Sequence, residues 1–287
     1  MATVKATVKA RGGTGAAPGG ARAARFRARY GPAAIVTGAA QGIGRAFADS
    51  IAARGLAVHL VDVQAEPLAR AAREVEARFG VPASAVPVDL ARRDCLDLVR
   101  VAVPPDEIGL LVCNAAIGQE GPFLDESLDA LHRAIDVNCH AAVALAHGFG
   151  AEMVRRGRGG IVLIASGTAL QGSPRYANYA ATKAFNLVLG ESLWYEFREH
   201  GVDVLSFVPG PTNTPGLRRS VQGLKEGVAI GPIRLPGETA ERAIDALGRA
   251  ASASRKADHA AQLAARRRRA DANAARNGKT QRGSGKA

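Results

Sequence analysis

Short runs of consecutive apolar residues alternate along the chain with longer segments in which apolar residues recur every three or four positions. Continuous apolar runs indicate strands buried on both faces, and the longer spacing indicates amphipathic helices. Six runs fit strands, namely 33–36, 56–61, 86–88, 108–113, 160–165 and 202–208. Four segments fit helices, namely 43–54, 65–79, 127–156 with one break near Asp136, and 176–200. This alternation predicts an α/β fold, a doubly wound parallel sheet of six to seven strands between two helical layers.

The two ends of the chain differ in composition from the part between them. Residues 1–30 carry seven Lys or Arg and no acid, and residues 251–287 carry ten bases and two acids. The net charge of +12 therefore comes from the ends, because residues 31–250 hold 21 bases and 24 acids. Both ends are rich in Ala, Gly and Arg. We expect a disordered basic extension over 1–30, one folded domain over 31–250 and a basic low-complexity tail over 251–287.

The basic ends raise the question of whether the chain binds nucleic acid, enters an organelle or contacts a membrane. Other features of the sequence argue against all three. A basic tail can bind nucleic acid through phosphates, but only Phe26 and Tyr30 could stack on bases, so we expect no nucleic-acid partner. The Arg-rich N-terminus resembles a transit peptide in charge, but it contains no serine, so a cytoplasmic location is expected. No apolar run approaches the roughly 18 residues of a membrane span, and no membrane partner is expected.

The cysteines argue against a metal or disulfide framework. Cys95, Cys113 and Cys139 form no CxxC pair and no ligand-spaced cluster with the six histidines. An odd number of cysteines on apolar stretches indicates reduced, buried thiols. We therefore expect no metal site.

A glycine-rich turn follows the first predicted strand and opens the first predicted helix. The segment 37–44 reads TGAAQGIG. Glycines let a backbone turn sharply and approach a pyrophosphate, and the helix that follows presents free N–H groups to that charge. The context of strand, turn and helix is the one this motif requires. The turn predicts dinucleotide binding, with contacts from Gly38, Gln41, Gly42, Ile43 and Gly44.

An acidic residue, Asp62, ends the second predicted strand, eighteen residues after Gly44. A carboxylate at this place accepts hydrogen bonds from the ribose hydroxyls of an adenosine and repels a 2′-phosphate. The sequence therefore favours NAD as the cofactor. NADP stays possible because Arg45, in the first turn of the preceding helix, is available to a 2′-phosphate.

A tyrosine and a lysine four residues apart, Tyr179 and Lys183, lie on one face of the last long helix. An ammonium beside a phenol favours the phenolate, so the pKa of Tyr179 is expected to fall from about 10 toward neutrality. This suits a general acid or base. Ser166, at the end of the fifth predicted strand, is placed to donate a hydrogen bond to a carbonyl oxygen that develops negative charge.

Together these motifs resemble the short-chain dehydrogenase/reductase superfamily, of the compact one-domain type with a Rossmann-like fold. The similarity spans about residues 33–216 and continues weakly to about 250. The resemblance implies that Asn138, Ser166, Tyr179 and Lys183 form a catalytic tetrad, in which Asn138 holds a water of the proton relay and Lys183 also binds the nicotinamide ribose. It implies further cofactor contacts from Tyr179 and from residues on three loops, namely Asp89, Leu90, Asn114, Ala115, Pro209, Gly210 and Thr212.

The resemblance implies hydride transfer between a nicotinamide and a secondary alcohol or ketone of a lipophilic small molecule, with Tyr179 as general acid or base. The expected substrate pocket is made by Thr168, Leu170, Tyr176 and Leu217, with Arg175 as a clamp for a carboxylate or phosphate. Relatives pair through two long helices that resemble residues 128–156 and 176–200, so a homodimer or homotetramer is expected. The alternatives are an NADPH-linked carbonyl or 3-oxoacyl-type reductase, and a nucleotide-sensing binding module with tails that contact nucleic acid.

One departure from the family pattern lies at the C-terminal end. Members close the sheet with a last apolar strand, but no apolar run follows the helix expected over 240–247. Either the sheet ends at six strands with an open edge, or these last residues differ from what a relative carries, for example after a frame change in a GC-rich gene.

Overall fold

The computed structural model describes residues 20–222 and 232–252, so most of the basic C-terminal tail and residues 1–19 lie outside the described residues. Within these residues the strands are Ala33–Thr37 (β1), Ala57–Asp62 (β2), Ala83–Pro87 (β3), Ile108–Cys113 (β4), Gly159–Ile164 (β5) and Val202–Phe207 (β6). The α-helices are Ala21–Tyr30 (α1), Gly42–Ala52 (α2), Ala65–Phe79 (α3), Cys95–Ala102 (α4), Leu128–Ile135 (α5), Ala141–Arg156 (α6), Ala177–Phe197 (α7), Pro215–Gln222 (α8) and Pro236–Ala246 (α9).

The six strands form one parallel sheet in the order β3-β2-β1-β4-β5-β6. The chain steps outward from β1 in one direction and then returns to add β4 on the other side. Connections after β1 and β4 therefore leave in opposite directions, which opens a crevice at the carboxyl ends of these two strands. The predicted doubly wound parallel sheet is confirmed.

Both faces of the sheet are covered by helices. Neighbouring residues of a strand point to opposite faces, so Ala34 and Val36 of β1 pack with α2, α3 and α9, whereas Ile35 packs with α4, α6 and α7. Phe47 and Phe149 are fully buried, one in each layer. Burial on both sides explains why the strands read as unbroken apolar runs.

Element boundaries differ from the predictions in a few places. The third strand runs over Ala83–Pro87 rather than 86–88, because it pairs in register with β2. The predicted break in the long helix is a turn of π-helix over Asp136–His140 between α5 and α6. Helices α4 and α8 were not predicted.

The N-terminal extension was predicted to be disordered over its whole length, and this is wrong for Ala21–Tyr30, which forms helix α1. Two aromatic residues explain the difference, because Phe26 and Tyr30 are buried against the sheet and contact each other edge to face. The Tyr30 hydroxyl donates to Asp203 Oδ2 at 2.7 Å, and Arg29 Nη2 donates to Oδ1 at 2.7 Å. A helix with few apolar residues is thus able to pack against the sheet when those residues lie on one of its faces.

The segment that follows α9 pairs with β6, the edge strand of the sheet. The backbone N–H of Ser206 donates to the carbonyl of Ala251 at 3.0 Å, and Ser206 and Ser252 form a parallel bridge. The sequence offered no seventh strand and placed 251–252 in the tail, so the assignment of these two residues is corrected. Ala251 and Ser252 begin to pair with β6 although neither has a large apolar side chain.

None of the helices in the described residues is long and apolar enough to cross a membrane.

Candidate active site

The carboxyl ends of β1 and β4 are tied together by Thr37 and Asn114. Thr37 Oγ1 accepts hydrogen bonds from the backbone N–H groups of Asn114 at 2.9 Å and Ala115 at 3.0 Å. In return, Asn114 Nδ2 donates to the carbonyls of Thr37 at 2.9 Å and Gly38 at 3.2 Å. The side-chain amide of Asn114 therefore holds the crevice in shape, a role the sequence analysis did not assign to it.

The glycine-rich turn lies against this junction. Gly38 and Gly42 have left-handed backbones, with φ of 65° and 63°. A Cβ on Gly38 would lie 2.8 Å from Asn114 Nδ2, and one on Gly44 would collide with the carbonyl of Gly38. Only glycine meets both demands. The turn thus brings the N-terminus of α2, with its free N–H groups, to the mouth of the crevice.

A cavity of about 360 Å³ opens between this turn and the ends of the strands. Of the residues predicted to bind a cofactor, those that line it are Gly38, Gln41, Gly42, Ile43, Asp62, Asp89, Leu90, Asn114 and Ala115. The sequence analysis missed further lining residues, namely Val63, Gln64, Val88, Ala116, Ile117, Arg133, Val137, Thr214, Pro215, Gly216 and Arg219. Arg133 and Arg219 come from helices distant in sequence, and no motif marked them.

Asp62 is held rigidly at the rim of the cavity. Its Oδ2 accepts from the backbone N–H of Ala40 at 3.1 Å, and its Oδ1 accepts from that of Gln64 at 3.1 Å. Arg45, the other residue considered for cofactor choice, is engaged elsewhere. It donates to Asp49 at 2.9 Å and to Glu74 at 2.8 Å.

Asp89 lines the cavity next to Arg133, whose Nη2 lies 3.1 and 3.0 Å from the two carboxylate oxygens. Burial alone would raise the pKa of Asp89. The hydrogen bond from the Ala91 backbone and the charge of Arg133 outweigh burial, so the pKa lies below its usual value. Asp89 is therefore ionised at neutral pH and paired.

The tyrosine and lysine predicted to carry the chemistry lie on successive turns of α7. The Tyr179 phenol lies close enough to the Ser166 hydroxyl for that hydroxyl to act on the pKa of Tyr179. Ser166 Oγ also accepts from the backbone N–H of Thr168 at 3.3 Å and from its hydroxyl at 3.0 Å. Lys183 Nζ donates to the carbonyl of Ile164 at 2.9 Å and lies 5.9 Å from the centroid of the Tyr179 ring. The predicted convergence of Ser166, Tyr179 and Lys183 is thus seen in the structure.

The expected lowering of the Tyr179 pKa is wrong for this structure. Burial raises the pKa of the phenol, and the Ser166 hydrogen bond opposes this only in part. Burial also lowers the pKa of Lys183 to about 8. The ammonium faces the carbonyl of Ile164 rather than the phenol, so desolvation of the tyrosine has the larger effect.

Asn138 lies in the π-helical turn and is almost fully buried. Its Oδ1 accepts from the backbone N–H of Ile117 at 2.8 Å, and its Nδ2 donates to the Ile117 carbonyl at 3.0 Å and to Thr182 Oγ1 at 2.9 Å. Its own carbonyl accepts from Asn186 Nδ2 at 2.9 Å. These contacts give Asn138 a positioning role, in which it joins the cavity wall at Ile117 to α7, and its role in holding a relay water stays a prediction.

The loop after β6 contains the predicted contacts Pro209, Gly210 and Thr212, and none of them lines the cavity. Thr212 Oγ1 instead donates to the Gly210 carbonyl at 2.9 Å and shares a hydrogen bond with Thr239. Gly44, Asn138, Ser166, Tyr179 and Lys183 also lie outside the cavity lining. The tetrad is connected to the cavity through the Asn138 contacts with Ile117.

The expected substrate wall includes two residues whose surroundings differ from expectation. Arg175, with φ of 68°, has its Nε 3.9 Å from Glu120 Oε1, so this clamp already faces a carboxylate. Burial and a hydrogen bond with Glu120 raise the pKa of Tyr176. The backbone N–H of Gly121 donates to the Arg175 carbonyl at 2.9 Å, which brings the loop carrying the exposed Phe123 and Leu124 beside this wall.

The three cysteines are free, buried thiols, as expected. Burial raises the pKa of Cys113 to about 12 and that of Cys139 to about 11, although the charge of Lys183 acts in the opposite direction. Both thiols are therefore neutral at physiological pH. Within the described part of the chain, no group of three or more His, Cys, Asp or Glu side chains is placed to hold a metal.

Comparison with known sequences agrees with this geometry. The family described as short chain dehydrogenase matches residues 32–225. The 7beta-hydroxysteroid dehydrogenase of Collinsella aerofaciens is 30% identical over 225 residues, 78% of this chain and 86% of that protein. The protein of Pongo abelii named inactive hydroxysteroid dehydrogenase-like protein 1 is 34% identical over 184 residues, 63% of this chain and 56% of that protein. The match thus spans little more than half the length of the latter relative.

Solved structures with the same fold include relatives that hold a nicotinamide cofactor. A structure of a 7beta-hydroxysteroid dehydrogenase has a TM-score of 0.73 and 29% identity, covering 79% of this chain and 88% of the other. A short-chain dehydrogenase from Sphingobium yanoikuyae in complex with NADPH has a TM-score of 0.69 and 30% identity, covering 75% of this chain and 84% of the other.

The buried ammonium of Lys183 is expected to make stability depend on pH. Its pKa is about 8 in the folded protein and 10.5 ordinarily, so between these values the unfolded chain binds a proton that the folded chain has lost. Stability from this group therefore rises with pH above about 8. Between pH 7.0 and 9.5, we expect the unfolding free energy of the wild type to gain about 2 kcal/mol relative to Lys183→Met in urea denaturation.

The Tyr179→Phe variant serves as the control, because it keeps the lysine and is expected to retain the gain. Parallel pH profiles for the wild type and Lys183→Met would show that the ammonium is not desolvated.

Proposed function

Because the chain belongs to the short chain dehydrogenase family, we propose that it is an NAD(P)-dependent oxidoreductase acting on a secondary alcohol or ketone. The observation that carries the proposal is the Tyr179 phenol, which lies beside Ser166, is one helical turn from Lys183 and is joined through Asn138 to the cavity at the glycine turn. The cavity fits such a cofactor, because its glycine turn has no room for a Cβ at Gly38 and the N-terminus of α2 faces it.

A nicotinamide cofactor, when bound, supplies or accepts the hydride. The protein's own residues manage the proton and the developing charge. Tyr179 exchanges a proton with the substrate oxygen, and Ser166 donates a hydrogen bond to the same oxygen. Because burial raises the pKa of Tyr179, the phenol is protonated at neutral pH, which is the form required to protonate a carbonyl oxygen during reduction.

The substrate is proposed to be a bulky lipophilic ketone or alcohol. The proposed wall contains Leu170, Tyr176 and Leu217, and the neighbouring loop exposes Phe123 and Leu124, which are 52% and 91% exposed. Large exposed apolar side chains beside a site are typical of a surface that binds an apolar ligand. Similar proteins named for steroid and very-long-chain 3-oxoacyl-CoA substrates support this size class.

The experiment that tests the proposal compares Tyr179→Phe with the wild type on a panel of cyclic and steroid ketones. Removing the hydroxyl removes the proton donor, so we expect turnover to fall by about 10²–10⁴-fold. Cofactor affinity, measured by NADH and NADPH fluorescence, is expected to stay within about twofold, because the phenol lies outside the cavity lining.

Tyr195→Phe is the matched control, since Tyr195 lies exposed on the same helix, and it is expected to behave as the wild type. Unchanged turnover in Tyr179→Phe would contradict the proposed acid. A wild type that binds cofactor but reduces no ketone would favour the nucleotide-sensing module instead.

We propose NAD as the preferred cofactor, on the position of Asp62. Two backbone N–H groups hold its carboxylate at the rim of the cavity. There it is able to accept hydrogen bonds from the ribose hydroxyls of the cofactor. Arg45, which a 2′-phosphate would require, is paired with Asp49 and Glu74. Similar structures hold NADPH or NADP, so the family accommodates both.

Asp62→Ala is expected to change this preference. Removing the carboxylate removes the ribose acceptor and the repulsion of a 2′-phosphate, so the ratio of the NADPH and NADH dissociation constants should fall by about tenfold. Fluorescence titration of each cofactor gives the ratio. Asp97→Ala is the control. It removes one negative charge from the exposed face of α4, away from the cavity, and should not change the ratio of the two dissociation constants. A ratio that does not respond to Asp62→Ala would remove the basis for NAD preference.

We also propose a homodimer formed through α6 and α7. Phe185, Val188 and Tyr195 are exposed at helical spacing along α7, and Val143 is exposed on α6. An apolar stripe on an outer helix face is expected to be covered by a partner.

Val188→Glu is expected to convert the dimer to monomer, because a carboxylate would be buried at the interface. Sedimentation velocity measures the change. Val101→Glu, on the exposed surface of α4, introduces the same charge outside the stripe and should leave a dimer. A wild type that sediments as a monomer at all concentrations would rule out the interface.

A further inference from the structure

Two arginine side chains line the cofactor cavity, and they differ in their partners. Arg133 pairs with Asp89 at 3.0 Å. Arg219, on α8, forms no ion pair with any carboxylate among residues 20–222 and 232–252. Its neighbour Arg218 is bonded to Asn213 Oδ1 at 2.8 Å. Arg219 is therefore a cation that faces the cavity without a counter-ion in the described protein.

The start of α8 lies against the glycine turn. Thr214 is close enough that a Cβ on Gly42 would contact its Cγ2 at 3.4 Å. Thr214 Oγ1 accepts from the backbone N–H of Leu217 at 3.0 Å, and the N–H of Asn213 donates to the Arg234 carbonyl at 2.8 Å. This anchored helix start brings α8, and Arg219 with it, to the cavity that the glycine turn and the first residues of α2 also line.

A dinucleotide carries two negative charges on its diphosphate, at the place where the turn and the helix N-terminus face it. We propose that Arg219 pairs with this diphosphate and so holds α8 over the bound cofactor, an inference that rests on the proposed function. The contact between Thr214 and Gly42 places the helix start at the turn rather than at Asp62. Arg219 therefore acts on NADH and NADPH alike and does not select the 2′-phosphate.

The same helix forms part of the substrate wall. Leu217, one of the residues expected to contact substrate, lies on α8 two residues before Arg219. Pairing of Arg219 with the diphosphate therefore also holds the residues expected to contact substrate. Cofactor that binds first would complete this wall, so loss of Arg219 should raise the KM for the ketone as well as the dissociation constant of the cofactor.

The test is Arg219→Gln, with Arg218→Gln as a matched control that removes the same charge one residue away. The probes are NADH, NADPH and ADP-ribose, titrated by isothermal calorimetry. Loss of a charged hydrogen bond should weaken all three by about tenfold, because each contains the diphosphate. Arg218→Gln should bind all three within about twofold of the wild type. Circular dichroism melting of both variants checks that each is folded.

Each other result overturns the inference. Equal binding by Arg219→Gln and the wild type, or equal weakening by both variants, would show that Arg219 makes no specific contact. Weakening confined to NADPH would place the arginine on the 2′-phosphate instead. A wild type that binds none of the three probes would overturn the proposed function, and this inference with it. If the wild type binds them, the proposed function stands, and the comparison of the two variants tests Arg219 by itself.

Discussion

The junction between Thr37 and Asn114 is the constraint on which the site depends. Parallel strands whose connections diverge leave a crevice, but a crevice between two strand ends has no fixed width unless something ties them. Four hydrogen bonds between these two residues and their neighbours do so. The same amide of Asn114 occupies the space that a Cβ on Gly38 would need. The glycines of the turn, the approach of α2 and the shape of the cavity therefore follow from this one contact.

The chemistry lies beyond this junction and is connected to it by buried polar groups. Asn138 is hydrogen-bonded to Ile117 on the cavity wall and to Thr182 on α7, which holds the helix that carries Tyr179 and Lys183 against the cavity. Lys183 is buried and donates to the carbonyl of Ile164, and this burial disfavours the charged form of the amine. Such a group reduces stability, so it is expected where function rather than packing requires it.

The opposite end of the sheet has a different purpose. Helix α1 packs where the strands begin, and Tyr30 and Arg29 bind the buried carboxylate of Asp203 on β6. A Cβ on Gly160 would lie 2.8 Å from the Tyr30 ring, so this glycine allows the aromatic to reach β5. Stability is thus supplied at the amino ends of the strands, which leaves the carboxyl ends free to open as a binding crevice.

Local patterns in the sequence were enough to predict the strands, the glycine turn and the tyrosine–lysine pair. Burial on both faces demands unbroken apolar runs, and the turn and the pair depend on residues close together in the chain. Those patterns gave no sign of the docking of α1, the hydrogen bonds of Asn138 or the presence of Arg219 at the cavity, because each depends on residues far away in the sequence. The pKa of Tyr179 belongs with these, since the spacing to Lys183 is local but the loss of solvent around the phenol is a property of the whole fold.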